Sequence, residues 1–120
     1  MSEIAIRLFD TTLEQQAANV KVGLETEAPD GAWRPAGRGV TNEVGSIAFA
    51  RAPVGSASRL VGAPVAGYRL SCAIGVYFAR TGAPGAFPEL VIHFADDGGG
   101  PAPRLRIEVG PRAYRVIRED

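Results

Sequence analysis

The chain has 120 residues, 13 of them basic and 13 acidic, so its formal net charge at pH 7 is zero. That length makes one domain, residues 1–120, with room for an ordinary core. Neutrality excludes a surface built wholesale for nucleic acid or anionic membrane, and a single cysteine, Cys72, excludes an internal disulfide framework or a cysteine zinc cluster.

In chain order, Ile4–Phe9 is apolar and β-prone and reads as a strand, stopped by Asp10-Thr11-Thr12. Leu13–Asn19 has helical propensity but is too short to stand alone, and is expected to be a loop. Val20–Glu25 alternates apolar and polar residues, the mark of a half-buried strand. Pro29-Asp30-Gly31 is a turn, since proline presets φ and glycine supplies φ > 0. Trp33–Gly37 contains Pro35 and reads as a short edge strand. Thr41–Gly45 is a second turn, and Ile47-Ala48-Phe49 opens another strand.

Residues 51–66 carry Pro53, Gly55, Gly62 and Pro64 among small side chains and read as a mobile loop. Tyr68–Ile74 alternates again. Val76–Arg80 followed by Thr81-Gly82 fits one or two helical turns ended by a glycine. Glu89–Phe94 is a strand, and Asp96–Pro101 a turn. Leu105–Val109 alternates cleanly until Gly110-Pro111, and Ala113–Arg118 forms the last strand. Seven or eight short strands with frequent turn signals predict an all-β antiparallel sandwich. Glycine (15) and proline (9), a fifth of the chain against a usual ~12%, suit it.

The chemistry on offer is sparse. No nucleophile motif, phosphate-binding loop or dinucleotide fingerprint occurs, and no cofactor or metal is expected. The lone histidine, His93, sits mid-strand and reads as a surface or satisfied residue. Cys72 reads as a small core residue rather than a reactive thiol. Asp96-Asp97 could be a calcium ligand pair, but the following glycines make a solvated turn tip the simpler reading. The basic residues are 12 arginines and one lysine, Lys21. Composition bias explains that ratio, since alanine and glycine are also abundant; bidentate anion binding, which lysine cannot match, is the functional alternative. Arg104, Arg106, Arg112, Arg115 and Arg118 crowd the last seventeen positions, and Arg104, Arg106 and Glu108 share one strand face.

Segments along most of the chain, in order, resemble the transthyretin / 5-hydroxyisourate hydrolase family. Arg7-Leu8-Phe9-Asp10-Thr11 stands where the enzymes have His-Val-Leu-Asp-Thr, and Ala17–Val22 resembles Pro-Ala-x-x-Val-x-Val. Thr41-Asn42-Glu43-Val44-Gly45-Ser46 is similar to Thr-Asn-x-Asp-Gly-Arg. Tyr68-Arg69-Leu70, Gly75-Val76-Tyr77-Phe78 and Phe87-Pro88-Glu89 resemble Tyr-Arg-Leu, Gly-Ala-Tyr-Phe and Phe-Pro-Glu. Tyr114 and Arg118 match positions of the terminal Tyr-x-x-Tyr-Arg-Gly-Ser. The resemblance implies a two-sheet sandwich with a short helix near residues 75–81, and a homotetramer, a dimer of dimers, with ligand sites in a central channel.

The hydrolases use two histidines, an arginine and the C-terminal segment to open the 5-hydroxyisourate ring with water. Here the first histidine position is Arg7, the arginine position is Ser46, and the second histidine falls on Arg104. The closing motif has become Ile117-Arg118-Glu119-Asp120. The family's carrier branch also lacks the hydrolase residues. Arginine does not act as a base near pH 7, its pKa exceeding ~12. The resemblance therefore implies a channel in which Arg7, Arg104 and Arg118 converge beside Ser46 on a small anionic or cyclic organic ligand, with Tyr114 as a proton-transfer group. Four functions are compatible. One is a repurposed enzyme acting on an anionic or enolisable ring compound by cyclisation, rearrangement or ring opening. The others are a carrier or sensor, a 5-hydroxyisourate hydrolase with a rearranged site, and a structural tetramer. Nucleic acid and membrane are not expected partners, and the cytoplasm is the expected location.

Overall fold

The structure, a computed structural model, describes residues 3–51, 66–82, 87–98 and 100–119. Most of the loop expected at 51–66 lies outside the described residues, as do Gly99 and Asp120. Nine strands and one helix occur among those described: β1 (Glu3–Asp10), β2 (Gln15–Gln16), β3 (Lys21–Glu27), β4 (Trp33–Val40), β5 (Ser46–Ala50), β6 (Ala66–Cys72), α1 (Ile74–Arg80), β7 (Leu90–Asp96), β8 (Arg104–Val109) and β9 (Tyr114–Arg118). They form two sheets. One runs β2-β1-β8-β9, with β5 also paired to β1; the other runs β4-β3-β6-β7. The expected β-sandwich is present. Its pairings are antiparallel except β1 with β8, which is parallel.

Alternation explains both faces. Ile4, Ile6 and Leu8 of β1 point inward and are at most 1% exposed, while Glu3 and Arg7 point outward. Leu105, Ile107 and Val109 of β8 join them from the same sheet. Val22 and Leu24 of β3, Tyr68 and Leu70 of β6, and Leu90 and Ile92 of β7 supply the facing layer. Each such side chain contributes about 1.5–3 kcal/mol by leaving water.

Three elements differ from expectation. Residues 13–19 are not wholly loop, because Gln15–Gln16 pairs with the end of β1. Ile74 belongs to α1 rather than to the preceding strand, and is buried there. Asp96 is not a solvated turn tip. It ends β7 at 1% exposure, where Arg51 grips it through Nε–Oδ2 and Nη2–Oδ1 contacts of 2.7 Å each. Pro35 falls on the edge strand β4, as its missing N–H requires, beside a register shift at Leu24/Glu25.

Two polar anchors hold the strand ends. Asp10 is buried, accepts hydrogen bonds from the Thr12 and Leu13 amides, and takes the Tyr77 hydroxyl on Oδ2 at 2.8 Å. Tyr77 also accepts from Gln15 Nε2, so α1, β1 and β2 are tied at one point. Burial pushes the Tyr77 hydroxyl above its ordinary pKa. Thr41 is likewise buried, donating to Ala17 O and accepting from Val20 N.

Gly45 stands at φ +72°, and a Cβ there would press on Leu8 O and lie 3.2 Å from Ala17 N. Gly45→Ala is therefore expected to lose about 2 kcal/mol or more, read from the urea midpoint. Gly31→Ala, also at positive φ but in open space, should lose only about 1 kcal/mol.

The Arg51 guanidinium holds the Asp96 carboxyl below the usual carboxylate range. A depressed folded-state pKa stabilises above the unfolded value of about 3.9 and loses that contribution as pH falls through the folded value. Asp96→Asn should lower Tm at neutral pH and flatten the acid side of the Tm–pH curve. An unchanged acid limb would contradict this assignment.

Candidate functional site

The outer face of the β5-β1-β8-β9 sheet is read off two registers. Ser46, Arg7 and Arg106 lie side by side across β5, β1 and β8. The next row inward along β1 pairs Ala48 with Ala5 and Ala5 with Arg104. The β8–β9 ladder continues one step past Arg118, where Glu119 N donates to Arg104 O at 2.8 Å, so Glu119 flanks Arg104. The two alanines leave a hollow of about 200 Å³, with Arg7, Ser46, Asn42, Arg104 and Glu119 on its lining.

The turn before β5 places the serine. Asn42 accepts hydrogen bonds on Oδ1 from the Val44 and Ser46 amides, while its carbonyl takes the Gly45 amide. Gly45 O in turn accepts from Leu8 N at 2.8 Å. The Thr41–Gly45 turn read from sequence is thus the device that seats Ser46 opposite Arg7.

The hollow brings together two arginines without a partner among the described residues, a state that Arg38 and Arg112 share singly elsewhere. Arg34, Arg51, Arg69, Arg106 and Arg115 each sit in an ion pair with a carboxylate. No described residue pairs with or hydrogen-bonds to the guanidinium of Arg7 or Arg104. Arg7 and Arg104 lie in neighbouring strands, two residues out of register, with their Cα atoms roughly 8 Å apart by strand spacing and rise. Such neighbours repel one another, and an anion between them relieves the repulsion.

Sequence reasoning brought together five residues, of which the protomer assembles three: Arg7, Ser46 and Arg104. Arg118 does not converge with them. It is paired with the inward-pointing Leu105, and its Nη1 donates to Ala95 O of β7 at 2.7 Å. A one-residue step along a strand reverses the face, and that step puts Glu119, not Arg118, on the hollow. Tyr114 is paired with inward-pointing Val109, and its ring stands edge-on to Phe87, so it also belongs to the other side of β9.

Two charged residues on this face have no role in the sequence reading. One is Glu119, on the lining of the hollow. The other is Arg106, which stands beside Arg7, lies over the Phe9 ring, and keeps a buried Nε with no partner among the described residues. The spacing of two from Arg104 was the available signal for it. His93 faces outward from the other sheet against Trp33, at a ring distance of 5.6 Å, and takes no part in the hollow. Cys72 is buried, and burial pushes its thiol up to about 12, which makes it an inert core residue. Among the described residues no group of three or more His, Cys, Asp or Glu is placed to hold a metal ion. No described helix is long and apolar enough to cross a membrane.

Known structures share this architecture. A 5-hydroxyisourate hydrolase from Klebsiella pneumoniae superposes with TM-score 0.77 and 26% identity, covering 100% of both chains. Transthyretin from Sparus aurata gives TM-score 0.78 at 18% identity, over 97% of this chain and 95% of that one. Sea bream transthyretin in complex with thyroxine gives TM-score 0.78 at 19% identity, over 97% and 93%. No family model and no curated protein matches the sequence. The match of fold and length end to end, with 26% identity to the hydrolase, makes the chain transthyretin-like.

Proposed function

We propose that the protein binds a small anionic or enolisable ring compound on the arginine-lined outer face of the β5-β1-β8-β9 sheet and transforms it by cyclisation, rearrangement or ring opening. The observation that carries this reading is the pair of unpartnered guanidiniums, Arg7 and Arg104, on a hollow that also presents the Ser46 hydroxyl. Guanidiniums stabilise negative charge developing on a carbonyl oxygen. They do not activate water as a base, so isomerisation or ring closure asks less of these side chains than hydrolysis does.

Self-association into a homotetramer goes with this proposal. β9 and β7 are the edge strands on the same side of the two sheets, joined by Arg118 to Ala95 O and by Phe87 against Tyr114. Two edges in step offer a second copy a continuous surface for strand pairing. Pairing of outer faces would then enclose the hollow in a channel and exclude water from it.

A carrier or sensor is the second reading. The likeness to a transthyretin that holds thyroxine and the absence of an imidazole on the hollow favour it. Hydrolysis of 5-hydroxyisourate in a rearranged site is the third, resting on the likeness to the Klebsiella pneumoniae enzyme.

Calorimetric titration with a small aromatic carboxylate tests the site. Arg7→Ala and Arg104→Ala are each expected to weaken binding by about tenfold or more, the loss of a charged hydrogen bond. Arg118→Ala should leave affinity unchanged. Wild-type affinity in both Arg7→Ala and Arg104→Ala would overturn the site. A spectrophotometric assay with freshly generated 5-hydroxyisourate separates the readings. No acceleration is expected, and acceleration lost in Arg104→Ala would establish the hydrolase reading instead.

A further inference from the structure

The outer face of the β4-β3-β6-β7 sheet carries a second and larger hollow, of about 530 Å³. The registers show why it opens there. One row across the sheet is Glu25, Arg69 and His93, with Trp33 against Arg69, and these large side chains fill the face. The next row is Arg38, Gly23, Ser71 and Val91. Gly23 has no side chain, and a Cβ there would meet nothing within 4 Å. Ser71 is small, so the two central strands leave a bare floor. The third row continues it. Val40 pairs with Lys21, the Ala73 amide donates to Lys21 O at 2.9 Å, and Glu89 precedes Leu90, the partner of Cys72. Lys21 and Glu89 thus stand on either side of Ala73, with their Cα atoms roughly 10 Å apart, two strand spacings.

Charges of both signs line this hollow and stay separate. Lys21 and Arg38 rise on one side and Glu89 on the other, all three exposed. None of them forms an ion pair with a described residue, whereas one row away Arg69 of β6 meets Glu25 of the adjacent β3 at 2.7 Å. That pair spans one strand spacing; β6 lies between Lys21 and Glu89. The flanks are apolar, with Val40 50% and Val91 42% exposed. An apolar surface with a few polar groups that fix orientation is the usual make-up of a small-molecule site.

We propose that this hollow is a second ligand site, separate from the arginine-lined one on the other sheet, and that it takes a small zwitterion whose two charges are held apart by an apolar ring. The carboxylate accepts hydrogen bonds from Lys21 and Arg38, the ammonium donates to Glu89, and the ring covers Gly23 and Ser71. A simple anion satisfies only the cations, and a simple cation only Glu89. A ligand whose charges sit on adjacent atoms reaches one side of the hollow and leaves the other unmatched. The proposal goes beyond the anion-site reading and does not depend on it. A tetramer built through the strand edges and the opposite sheet face would leave this face open to solvent.

The test uses para-(aminomethyl)benzoate, followed by amide NMR shifts during titration into the full chain carrying Arg7→Ala and Arg104→Ala, which removes the guanidiniums of the other hollow. Shifts should centre on Gly23, Ser71 and Ala73. Para-toluate and benzylamine, each lacking one charge, should bind about tenfold or more weakly, the loss of one charged contact. Glu89→Gln should lower the affinity for the zwitterion to that of para-toluate and leave para-toluate unweakened. Lys21→Ala and Arg38→Ala should weaken both carboxylates. All three positions are exposed, so these changes leave the core untouched. No binding, equal affinity for the three compounds, shifts centred elsewhere, or zwitterion affinity unchanged in Glu89→Gln would each overturn the proposal. The anion site stands or falls separately, on the effects of Arg7→Ala and Arg104→Ala on carboxylate binding.

Discussion

The parallel pairing of β1 with β8 joins residues about a hundred positions apart, and the inner and outer faces of one sheet depend on its register. With Ile6 beside Leu105 and Leu8 beside Ile107, both strands send their branched residues into the core. With the same register, Ala5 lies beside Arg104 and Arg7 beside Arg106, so the outer face gathers three arginines over two strands. A slip of one residue would bury guanidiniums and expose isoleucines, a cost of many kcal/mol in desolvation alone. The hydrophobic core therefore enforces the cationic cluster. β5 and β9 are then hung on either side of this pair, bringing Ser46 and Glu119 to it.

Charge is handled differently in different parts of the molecule. Some arginines are paired within the fold: Arg51 with Asp96, and Arg69 with Glu25 while stacked 4.5 Å from the Trp33 ring. Arg7 and Arg104 are left unpaired where a small hollow opens. Like charges held side by side cost stability, and residues that raise local energy without a structural return are characteristic of functional surfaces. The zero net charge of the whole chain conceals this local imbalance.

Much of the fold was legible in the sequence because strand alternation is a local signal. Val22 and Leu24, or Leu105, Ile107 and Val109, announce a buried face without knowledge of the partner strand. The parallel β1–β8 pairing was not legible, since nothing local distinguishes it. Asp96 illustrates another limit: followed by glycines it looked like a turn tip, and its burial depends on Arg51, forty-five residues away. Aligning residues with the family's motifs picks Arg7, Ser46 and Arg104, and the strand registers bring these three to one hollow. It also picks Arg118, because a motif match carries no record of which way a strand residue points; the pairing of Arg118 with Leu105 turns it away from that hollow in the protomer. Glu119 was visible by the same rule, one residue on.

The central claim is that the outer face of the β5-β1-β8-β9 sheet holds a small anion between Arg7 and Arg104. A crystal structure of the protein soaked with a small ring carboxylate tests it most directly. The account predicts density on this hollow, with ligand oxygens within hydrogen-bond reach of both guanidiniums and of the Ser46 hydroxyl. A ligand seated elsewhere, with Arg7 and Arg104 turned instead into ion pairs with carboxylates of a neighbouring subunit, would contradict it.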